Sequence, residues 1–422
     1  MRFNFADKLW PQPGVKFGAL EQAHAGHYSV NRPGASAMAG VARAEQQRVV
    51  CIVSPSRNVY SQTFVCAHKE GLPARIKSLY GGSNQSFSDD NGPLVQPALS
   101  RRLARAVLRR SLKLQAEHFE KQALKRFLLA NKVDALLAEF GPTGTAVMDV
   151  CKETQIPLIA HFHGFDAYRR ATLESSGQRY TELFGNASAI IAVSHDMQRQ
   201  LLGLGAPPEK LHYNSYGVDV STFQGADPIH SPPTFIAVGR FVDKKAPHLT
   251  LLAFKKVVES FPDARLVMIG DGPLWEACHR MAKSLGLSTA VELLGPRSHS
   301  EVAMLMRRAR AFVQHSVRTQ DGDSEGTPVA VLEAGASNLP VVSTRHAGIK
   351  DAVIDGETGL LVDEGDINGM ADRMLRLARD PVLAAQLGSA AREWICSEFS
   401  MEKSINNLWR IIEEAIEKSN VH

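Results

Sequence analysis

The second half of the chain alternates short apolar runs with glycine-containing loops and helix-like stretches, and this alternation restricts the fold more than any other feature. The segment TFIAVGRFVDKKAPH gives a buried strand, Phe235 to Val238, then a glycine turn and the start of a helix. ARLVMIGDGPLWEACHRMAKSLGL and VELLGPRSHSEVAMLMRRARAFVQHS repeat the order of strand, loop and helix. Strands separated by helices pair in parallel, so the pattern predicts an α/β domain with a parallel sheet.

The segment EGTPVAVLE places Glu325 and Glu333 eight positions apart, where a loop runs into a helix. Pro328 suits the first helical turn, where a missing N–H costs nothing. The amides of Val329 and Ala330 would then be free at the positive end of the helix, which attracts phosphate. For an isolated pair of glutamates, the simpler explanation is that Glu333 is a solvated helix residue and Glu325 a partner of the helix dipole. In this context it predicts a ligand with a diphosphate and several hydroxyls.

Two cations follow the strand that ends at Val238. Arg240 comes directly after Gly239, and Lys245 precedes the next helix. One interpretation is that Arg240 and Lys245 are ordinary surface cations without a defined partner. Their position between a strand, a glycine and a helix favours a diphosphate site instead.

These motifs resemble the donor-binding domain of the retaining glycosyltransferases of family four, over the range Phe235 to Asp363. The family's Glu-x7-Glu signature matches Glu325 and Glu333, and its GR…K pair matches Arg240 and Lys245. The GDGP turn is intact, and GETGLLVDEGD resembles the family's closing loop. The resemblance implies the GT-B fold, in which two Rossmann-like domains have parallel sheets that face a central cleft.

The resemblance also implies a site for a UDP-, GDP- or ADP-sugar donor, without a cofactor or a metal. The implied catalytic residues are His163, Arg240, Lys245 and Glu325. The implied donor-binding residues are Gly239, Arg240, Lys245, Arg297, Glu325, Gly326, Thr327, Val329, Ala330 and Glu333.

The roles of the two cations and the helix amides follow from the charge that the reaction develops. Negative charge forms on the leaving phosphate, so Arg240, Lys245 and the helix amides would stabilise it. By resemblance, Glu333 would accept hydrogen bonds from ribose, Glu325 from a sugar hydroxyl, and the backbone around Arg297 would face the base. No carboxylate is placed as a nucleophile, so the resemblance implies front-face attack with retention of configuration.

The motif HFHGFDAY is open to three interpretations. His161 and His163 at a strand end, with Asp166 nearby, could ligate a metal as in an amidohydrolase, which would require an eight-stranded barrel. They could also be structural histidines. By resemblance, His163 would contact the donor sugar's C6 hydroxyl.

The string Asp321-Gly322-Asp323 resembles a metal-binding Asp-x-Asp, although such strings are common in turns. Because it directly precedes the Glu325 loop, we expect a loop or acceptor-side role.

At 422 residues the chain is long enough for two domains. We expect a poorly ordered leader over 1–47, an acceptor-side Rossmann-like domain over 48–216, and a donor-binding domain over 217–399. A final amphipathic helix, 400–418, returns to the first domain by resemblance. Because the first residues lack a basic start followed by a continuous apolar core, we expect no signal peptide.

The composition and charge of the chain limit where the protein is expected to be located and which partners it is expected to bind. No apolar run reaches about eighteen residues, so no membrane-spanning helix is expected. Five dispersed cysteines indicate reduced thiols, hence a cytoplasmic protein. The net charge of +4 is mild and gives no indication of nucleic acid as a partner.

The segment 101–132 has about ten Lys and Arg against two Glu, which predicts either a solvated helix face or binding to an anionic membrane surface.

The loop after the first strand departs from the family. Many relatives have a glycine pair there, whereas this chain has PSRNVYSQTF, so a backbone contact to the diphosphate is in doubt. A Ser-x-Thr-Phe version occurs among relatives that build surface polysaccharides. This favours a glycan acceptor linked to polyprenyl diphosphate. The alternatives are a nucleotide-sugar epimerase of the same fold and a non-catalytic nucleotide-sugar-binding subunit.

Overall fold

The strands of the first half form an eight-stranded sheet in a computed structural model that describes residues 47–57, 63–82, 86–95 and 109–420, with side chains of the last range from residue 118 onward. Its strands are β1 (Val49–Ser54), β2 (Arg75–Tyr80), β3 (Ser88–Asp89), β4 (Gly92–Pro93), β5 (Ala135–Glu139), β6 (Leu158–Phe162), β7 (Ala189–Ala192) and β8 (Leu211–Tyr213). Their order is β4-β3-β2-β1-β5-β6-β7-β8, parallel except for the β2-β3 and β3-β4 pairs. The central strands are apolar on both faces because helices cover the sheet on each side.

The helices of the first half are α1 (Thr63–Gly71), α2 (Arg109–Ala130), α3 (Gly141–Thr154), α4 (Phe165–Tyr168), α5 (Arg170–Asn186) and α6 (His195–Gly203). Helix α6 begins after Ser194, whose hydroxyl accepts the backbone N–H of Met197 and so caps a free donor.

The second half forms a six-stranded sheet that is parallel throughout. Its strands are β9 (Thr234–Val238), β10 (Arg265–Ile269), β11 (Val291–Leu293), β12 (Ala311–Gln314), β13 (Val341–Thr344) and β14 (Gly359–Val362). Their order is β11-β10-β9-β12-β13-β14. The GETGLLVDEGD motif contains β14.

The helices of the second half are α7 (Pro247–Ser260), α8 (Trp275–Ser284), α9 (His299–Met306), α10 (Val329–Ala336), α11 (Ile349–Ala352), α12 (Ile367–Arg379), α13 (Pro381–Glu398) and α14 (Met401–Asn420). Helix α9 has a complete capping box between Ser298 and Glu301.

Helix α14 packs on the eight-stranded sheet, although it follows the second half in sequence. Its apolar face, which includes Ile405, Leu408 and Ile412, is buried against Ile52 and Leu137 of the central strands. The helical spacing of these residues in the sequence predicts this face correctly.

The chain passes twice between the two sheets, and the two passes lie side by side. Val218 N–H donates to the Phe399 carbonyl at 2.9 Å, and Met401 N–H donates to the Val218 carbonyl at 3.0 Å. Gly217 fits here because a Cβ would meet the backbone of Met401.

The α/β prediction with parallel sheets is confirmed. The strands predicted at 48–54, in VDALLAEFG, in IPLIAHFHG and in ASAIIAVS correspond to β1, β5, β6 and β7. Strands β2 and β8 were not predicted, because RIKSLY and LHY are partly exposed and lack an apolar run. The predicted leader, apart from Gln47, lies outside the described residues.

All five cysteines are free thiols. Within the described part of the chain, no helix has both the length and the apolar character needed to cross a membrane.

Candidate active site

The carboxyl ends of strands from both sheets meet at one place, where the candidate residues lie. Strand β9 ends at Val238 and leads through Gly239 to Arg240. A Cβ on Gly270, at the end of β10, would overlap the backbone carbonyl of Gly239, so only glycine permits this approach. Residues at the carboxyl ends of parallel strands form the ligand sites of open α/β sheets.

The loop after β9 carries one exposed and one buried cation. The guanidinium of Arg240 is exposed and makes no hydrogen bond or ion pair with the described residues. Lys245 ends a 3₁₀ turn, and its side chain would lie 3.4 Å from a Cβ placed on Gly239. Arg240 is near enough to Lys245 to disfavour its charge. The two cations therefore form one local site.

Lys245 and Glu325 form a buried ion pair. The Lys245 Nζ atom lies 3.3 Å from Glu325 Oε1 and donates to Gln314 Oε1 at 3.4 Å. Burial lowers the pKa of Lys245, against the opposing effect of Glu325. Burial also opposes ionisation of Glu325, but Lys245 and Lys244 hold its pKa below the ordinary value. Both groups are charged near neutral pH because each compensates the other.

The loop Ser324 to Thr327 is held from two sides. Thr327 Oγ1 donates to the Val193 carbonyl at 2.7 Å, and Gly348 N–H donates to the Gly326 carbonyl at 2.9 Å. A Cβ on Gly326 would lie 2.5 Å from the His163 carbonyl, so glycine is required for this packing. Because the Thr327 hydroxyl donates its proton to Val193, its side chain can only accept a hydrogen bond from a ligand.

The helix start is shifted by one residue from the prediction. Pro328 is the N-cap residue, with φ −67° and ψ 114°, and Val329 is the first helical residue. The prediction that Pro328 lies in the first helical turn is therefore wrong by one position. Val331 N–H donates to the Pro328 carbonyl at 3.0 Å, while the amides of Val329 and Ala330 have no partner among the described residues.

Glu333 is buried one turn inside α10 and contacts His299. The His299 Nδ1 atom lies 3.4 Å from Glu333 Oε1, and this contact raises the pKa of His299. Arg297 lies two residues before His299, where its Nη1 donates to the Pro296 carbonyl at 2.9 Å. The structure therefore brings Glu333 to the loop of Arg297.

His163 belongs to a buried cluster at the ends of β5 and β6. Its Nε2 lies 2.7 Å from Glu139 Oε2, and its Nδ1 lies 2.8 Å from the Tyr216 hydroxyl. A buried carboxylate beside three imidazoles accepts, so Nε2 carries the proton and Tyr216 donates to Nδ1. Burial, together with His161, lowers the pKa of His163 to about 3. Both ring nitrogens of this neutral imidazole are thus engaged.

Glu139 joins three histidines below the cleft. His68 Nδ1 lies 2.7 Å from Glu139 Oε1, and His161 Nδ1 lies 3.3 Å from Oε2. Although burial opposes ionisation, the three imidazoles, led by His68, hold the pKa of Glu139 well below the ordinary value. Phe64 stacks on His163 with ring centroids 4.3 Å apart, which gives the Thr-Phe of the β1 loop a packing role.

The cluster of His68, Glu139 and His161 is the metal-compatible group among the described residues. Two ligands on one tetrahedral zinc, with bonds of about 2.0–2.1 Å, stand roughly 3.3 Å apart. Within this cluster the His161–Glu139 distance of 3.3 Å matches that spacing, whereas the His68–Glu139 distance of 2.7 Å is that of a hydrogen bond. The two open sheets also exclude the amidohydrolase barrel that a metal site at HFH was expected to need.

Asp166 organises the loop after β6 through its backbone contacts. Its carboxylate accepts from the amides of Gly141, His163 and Gly164 at 2.8–3.2 Å. Burial raises its pKa to about 6, against these three hydrogen bonds. Asp166 therefore shapes the loop that presents His163.

The carboxylates of Asp321 and Asp323 point to different partners. Asp321 pairs with Arg169 at 2.9 Å, and Asp323 pairs with Lys244 at 3.0 Å. Arg170 N–H also donates to the Asp321 carbonyl at 2.8 Å. The string thus connects the loop before Glu325 to the start of α5.

Several residues of the site were missed in the sequence. They are Glu139, His68, Tyr216, Gln314, His299, Lys244 and His346. Glu139 had a signal, since a glutamate that ends an apolar run in a parallel sheet lies at the ligand edge. His68 and Tyr216 had none, because their contacts join positions far apart in sequence.

The two parallel sheets, with their carboxyl ends at one site, have the GT-B fold. One similar solved structure is Alr3699/HepE of Anabaena in complex with UDP, with a TM-score of 0.68 and 14% sequence identity. The match covers 87% of this chain and 100% of that one. Sucrose-phosphate synthase of Thermosynechococcus elongatus has a TM-score of 0.67, 17% identity, and coverage of 88% and 100%. This likeness shows the fold.

Sequence comparison shows the family. The family described as "Glycosyl transferases group 1" matches residues 222–394, and "Glycosyltransferase Family 4" matches residues 79–222. The amylovoran biosynthesis glycosyltransferase AmsK of Erwinia amylovora is 30% identical over 303 residues, 69% of this chain and 74% of the relative. The putative colanic acid biosynthesis glycosyltransferase WcaL of Escherichia coli strain K12 is 30% identical over 277 residues, which are 64% of this chain and 68% of the relative. The chain belongs to these glycosyltransferases.

Proposed function

We propose that this glycosyltransferase moves a sugar, with retention of configuration, from a nucleoside-diphosphate sugar to a growing glycan. The observation that carries the proposal is Arg240, whose guanidinium has no hydrogen-bond or ion-pair partner among the described residues, beside the buried Lys245–Glu325 pair at 3.3 Å. A cation left exposed at a strand end, next to another held in place by a carboxylate, suits a leaving diphosphate. The free amides of Val329 and Ala330 support the same ligand.

The donor binds with its phosphates at Arg240, Lys245 and the start of α10. Glu333, which is buried and in contact with His299, accepts hydrogen bonds from the ribose. The base faces the loop of Arg297. Glu325, fixed by Lys245, accepts a hydrogen bond from a sugar hydroxyl.

His163 contacts the sugar in a restricted way. Its Nε2 is bonded to a fully buried carboxylate, so a sugar hydroxyl reaches the ring only by taking the place of Tyr216 at Nδ1. Because the ring is neutral, it accepts from that hydroxyl and adds no charge. Residues 48–216 hold the acceptor and residues 217–399 hold the donor.

The reaction proceeds by front-face attack and needs no divalent metal. Arg240 and Lys245 carry the positive charge that a metal would bring to the leaving group. The leaving phosphate takes the proton of the acceptor hydroxyl, since the carboxylates of Glu325 and Glu333 are held by Lys245 and His299.

The acceptor is a surface polysaccharide intermediate on polyprenyl diphosphate, at the cytoplasmic face of the membrane. Support comes from the relatives named for amylovoran and colanic acid biosynthesis. The basic segment 101–132 would provide the membrane contact.

A two-stage experiment tests the function. Thermal unfolding is first followed with UDP, GDP, ADP and their sugars, because binding to the native state raises the melting temperature. The stabilising donor, radiolabelled, is then incubated with and without membrane lipid extract, and the anomeric configuration of the product is read by NMR. Lipid-dependent transfer with a retained anomer supports the proposal. Isomerised donor sugar would indicate an epimerase, and binding without turnover a non-catalytic subunit.

A further inference from the structure

His346 lies beneath the loop that carries Glu325, and its ring is 3% exposed. Its Nε2 is 3.2 Å from the backbone nitrogen of Glu325 and 3.0 Å from Ser324 Oγ. Its Nδ1 is 2.6 Å from Glu364 Oε1. The ring therefore bridges the loop before α10 and the loop after β14.

The chemistry of these partners fixes the protonation of the ring. A backbone N–H can only donate, so Nε2 must present a lone pair to Glu325. The proton is then on Nδ1, where it is donated to the Glu364 carboxylate. Protonation of Nε2 would set two N–H groups against each other at 3.2 Å and would release the Glu325 amide.

Charged groups surround His346. Glu364 accepts the proton of Nδ1, and Lys244 donates to the Ser324 carbonyl at 3.0 Å. Glu325 also faces the ring, but its charge is compensated by Lys245. His315 also faces Glu364, and burial lowers the pKa of His315 to about 4. None of these groups can replace the acceptor that the Glu325 amide needs.

We propose that His346 is a positioning residue that holds the Glu325 loop in its donor-binding conformation only while Nε2 is unprotonated, so that acidification releases the loop and weakens donor binding. The loop is seated by neighbouring contacts at Gly326 and Thr327, so it loosens without unfolding of the sheet. This inference rests on the proposed function, because it assumes that the loop binds a donor.

Two substitutions of His346 distinguish the roles of its two ring nitrogens. In His346→Gln, the amide oxygen takes the place of Nε2 as an acceptor that does not titrate. In His346→Asn, the shorter amide keeps a donor toward Glu364 but provides no acceptor at the Nε2 position. His279, exposed on α8, provides the matched controls His279→Gln and His279→Asn.

The first measurement needs no ligand. Hydrogen exchange of the peptide that covers Ser324 to Thr327 is followed between about pH 8 and pH 5.5, the range in which imidazoles titrate, and corrected for the intrinsic rate. In the wild type, protection should fall as the pH falls. In His346→Gln it should stay constant, and in His346→Asn it should be low throughout. Equal pH dependence in wild type and His346→Gln would overturn the inference.

The second measurement is the dissociation constant for UDP, GDP or ADP, whichever stabilises the wild type. Between the same two pH values, wild-type binding should weaken about tenfold more than binding to His346→Gln, the scale of one buried hydrogen bond. Titration of the nucleotide phosphate is common to both proteins and cancels in this ratio. If none of the three nucleotides binds the wild type while the exchange result holds, the proposed function fails but the contact between His346 and the loop is supported. If a nucleotide binds but His346→Asn matches the wild type, the positioning role fails.

Discussion

The hydroxyl of Thr327 donates to the backbone carbonyl of Val193 at 2.7 Å. Thr327 belongs to the loop of the donor half that carries Glu325, and Val193 follows β7 of the eight-stranded sheet. Both atoms are buried, so the bond is not exchanged with water. It therefore fixes the distance between the two halves of the site, beside the packing of Gly326 on the His163 carbonyl.

Removal of this hydroxyl should damage both stability and turnover. Thr327→Val leaves the Val193 carbonyl without a donor, which costs about 1–3 kcal/mol in the free energy of unfolding. Displacement of the Glu325 loop should lower kcat by about tenfold or more. Urea unfolding and initial rates provide the measurement. Thr327→Ser, which retains the hydroxyl, should remain near the wild type, and equal loss in both variants would contradict the role of the bond.

Arg240 and Lys245 should both be needed for turnover but should differ in their effect on stability. Arg240→Ala removes an exposed, unpartnered cation, so the rate should fall about a hundredfold or more with little change in stability. Lys245→Ala should reduce the rate similarly. It should also destabilise the fold by about 3–5 kcal/mol, because Glu325 is left buried and unpaired.

The comparison uses kcat at saturating donor together with thermal unfolding. Arg280→Ala, on the exposed face of α8, is the control for loss of an arginine. Near wild-type turnover in both Arg240→Ala and Lys245→Ala would refute the phosphate assignment. Normal stability of Lys245→Ala would refute the buried pair.

The parts of the site that follow from local sequence could be predicted, and the parts that depend on distant contacts could not. The strand before Gly239 and the helix after Pro328 follow from apolar runs and turn residues. The partners of His163 do not, because Glu139 is 24 positions and Tyr216 is 53 positions away. Similarly, the sequence shows two histidines at HFH but not the carboxylate that lies beside them.

The helix start shows how small errors arise. A proline fits both the N-cap and the first helical position, and the backbone angles that distinguish them depend on the loop before it. The short strand β8 was missed because its residues are half-buried, so they give no apolar run for a pattern to detect.

The protein should become less stable as the pH is lowered, because its buried histidines resist protonation. The pKa of His163 is about 3 in the folded protein, compared with an ordinary value of about 6.5. Between these values the unfolded chain binds a proton that the folded protein does not. The free energy of unfolding therefore decreases as the pH falls from about 6.5, by at most about 1.4 kcal/mol per pH unit from this residue. Burial also lowers the pKa of His161 and of His315, so both residues add to the loss of stability at low pH.

Urea unfolding at several pH values checks this linkage. His163→Gln should show a smaller decrease between about pH 6.5 and pH 4.5 than the wild type, because one titrating group is removed. His279→Gln, at an exposed position, should keep the wild-type slope. A slope in His163→Gln that equals the wild-type slope would mean that His163 is protonated in the folded protein.

Activity should not depend on a divalent metal. Enzyme treated with a chelator should keep its rate, because Arg240 and Lys245 already supply positive charge to the leaving group. The measurement is turnover before and after dialysis against EDTA, with metal content determined on the same samples. Stoichiometric zinc that disappears together with activity, and is absent from His161→Gln, would instead assign a metal to the cluster around Glu139.

Binding to anionic membranes should depend on the first part of the basic segment. In the described part of α2, Lys121 pairs with Asp149 at 2.5 Å and Lys125 pairs with Glu153 at 3.1 Å, so these two lysines contribute little net charge to a surface. The exposed Phe119, 41% accessible, and Leu129, 55% accessible, lie on the same helix. Residues 101–108 and the side chains of 109–117 lie outside the described residues.

The prediction therefore concerns the five arginines at the beginning of the segment, which are Arg101, Arg102, Arg105, Arg109 and Arg110. Each basic residue near an anionic surface contributes about 1 kcal/mol, so changing all five to Gln should abolish sedimentation with anionic vesicles at low salt. Wild-type binding should weaken as salt screens the attraction. A variant with Lys121 and Lys125 changed to Gln should sediment like the wild type, because their charges are already paired. Equal sedimentation of the wild type and the five-arginine variant at low salt would show that this segment does not bind the membrane.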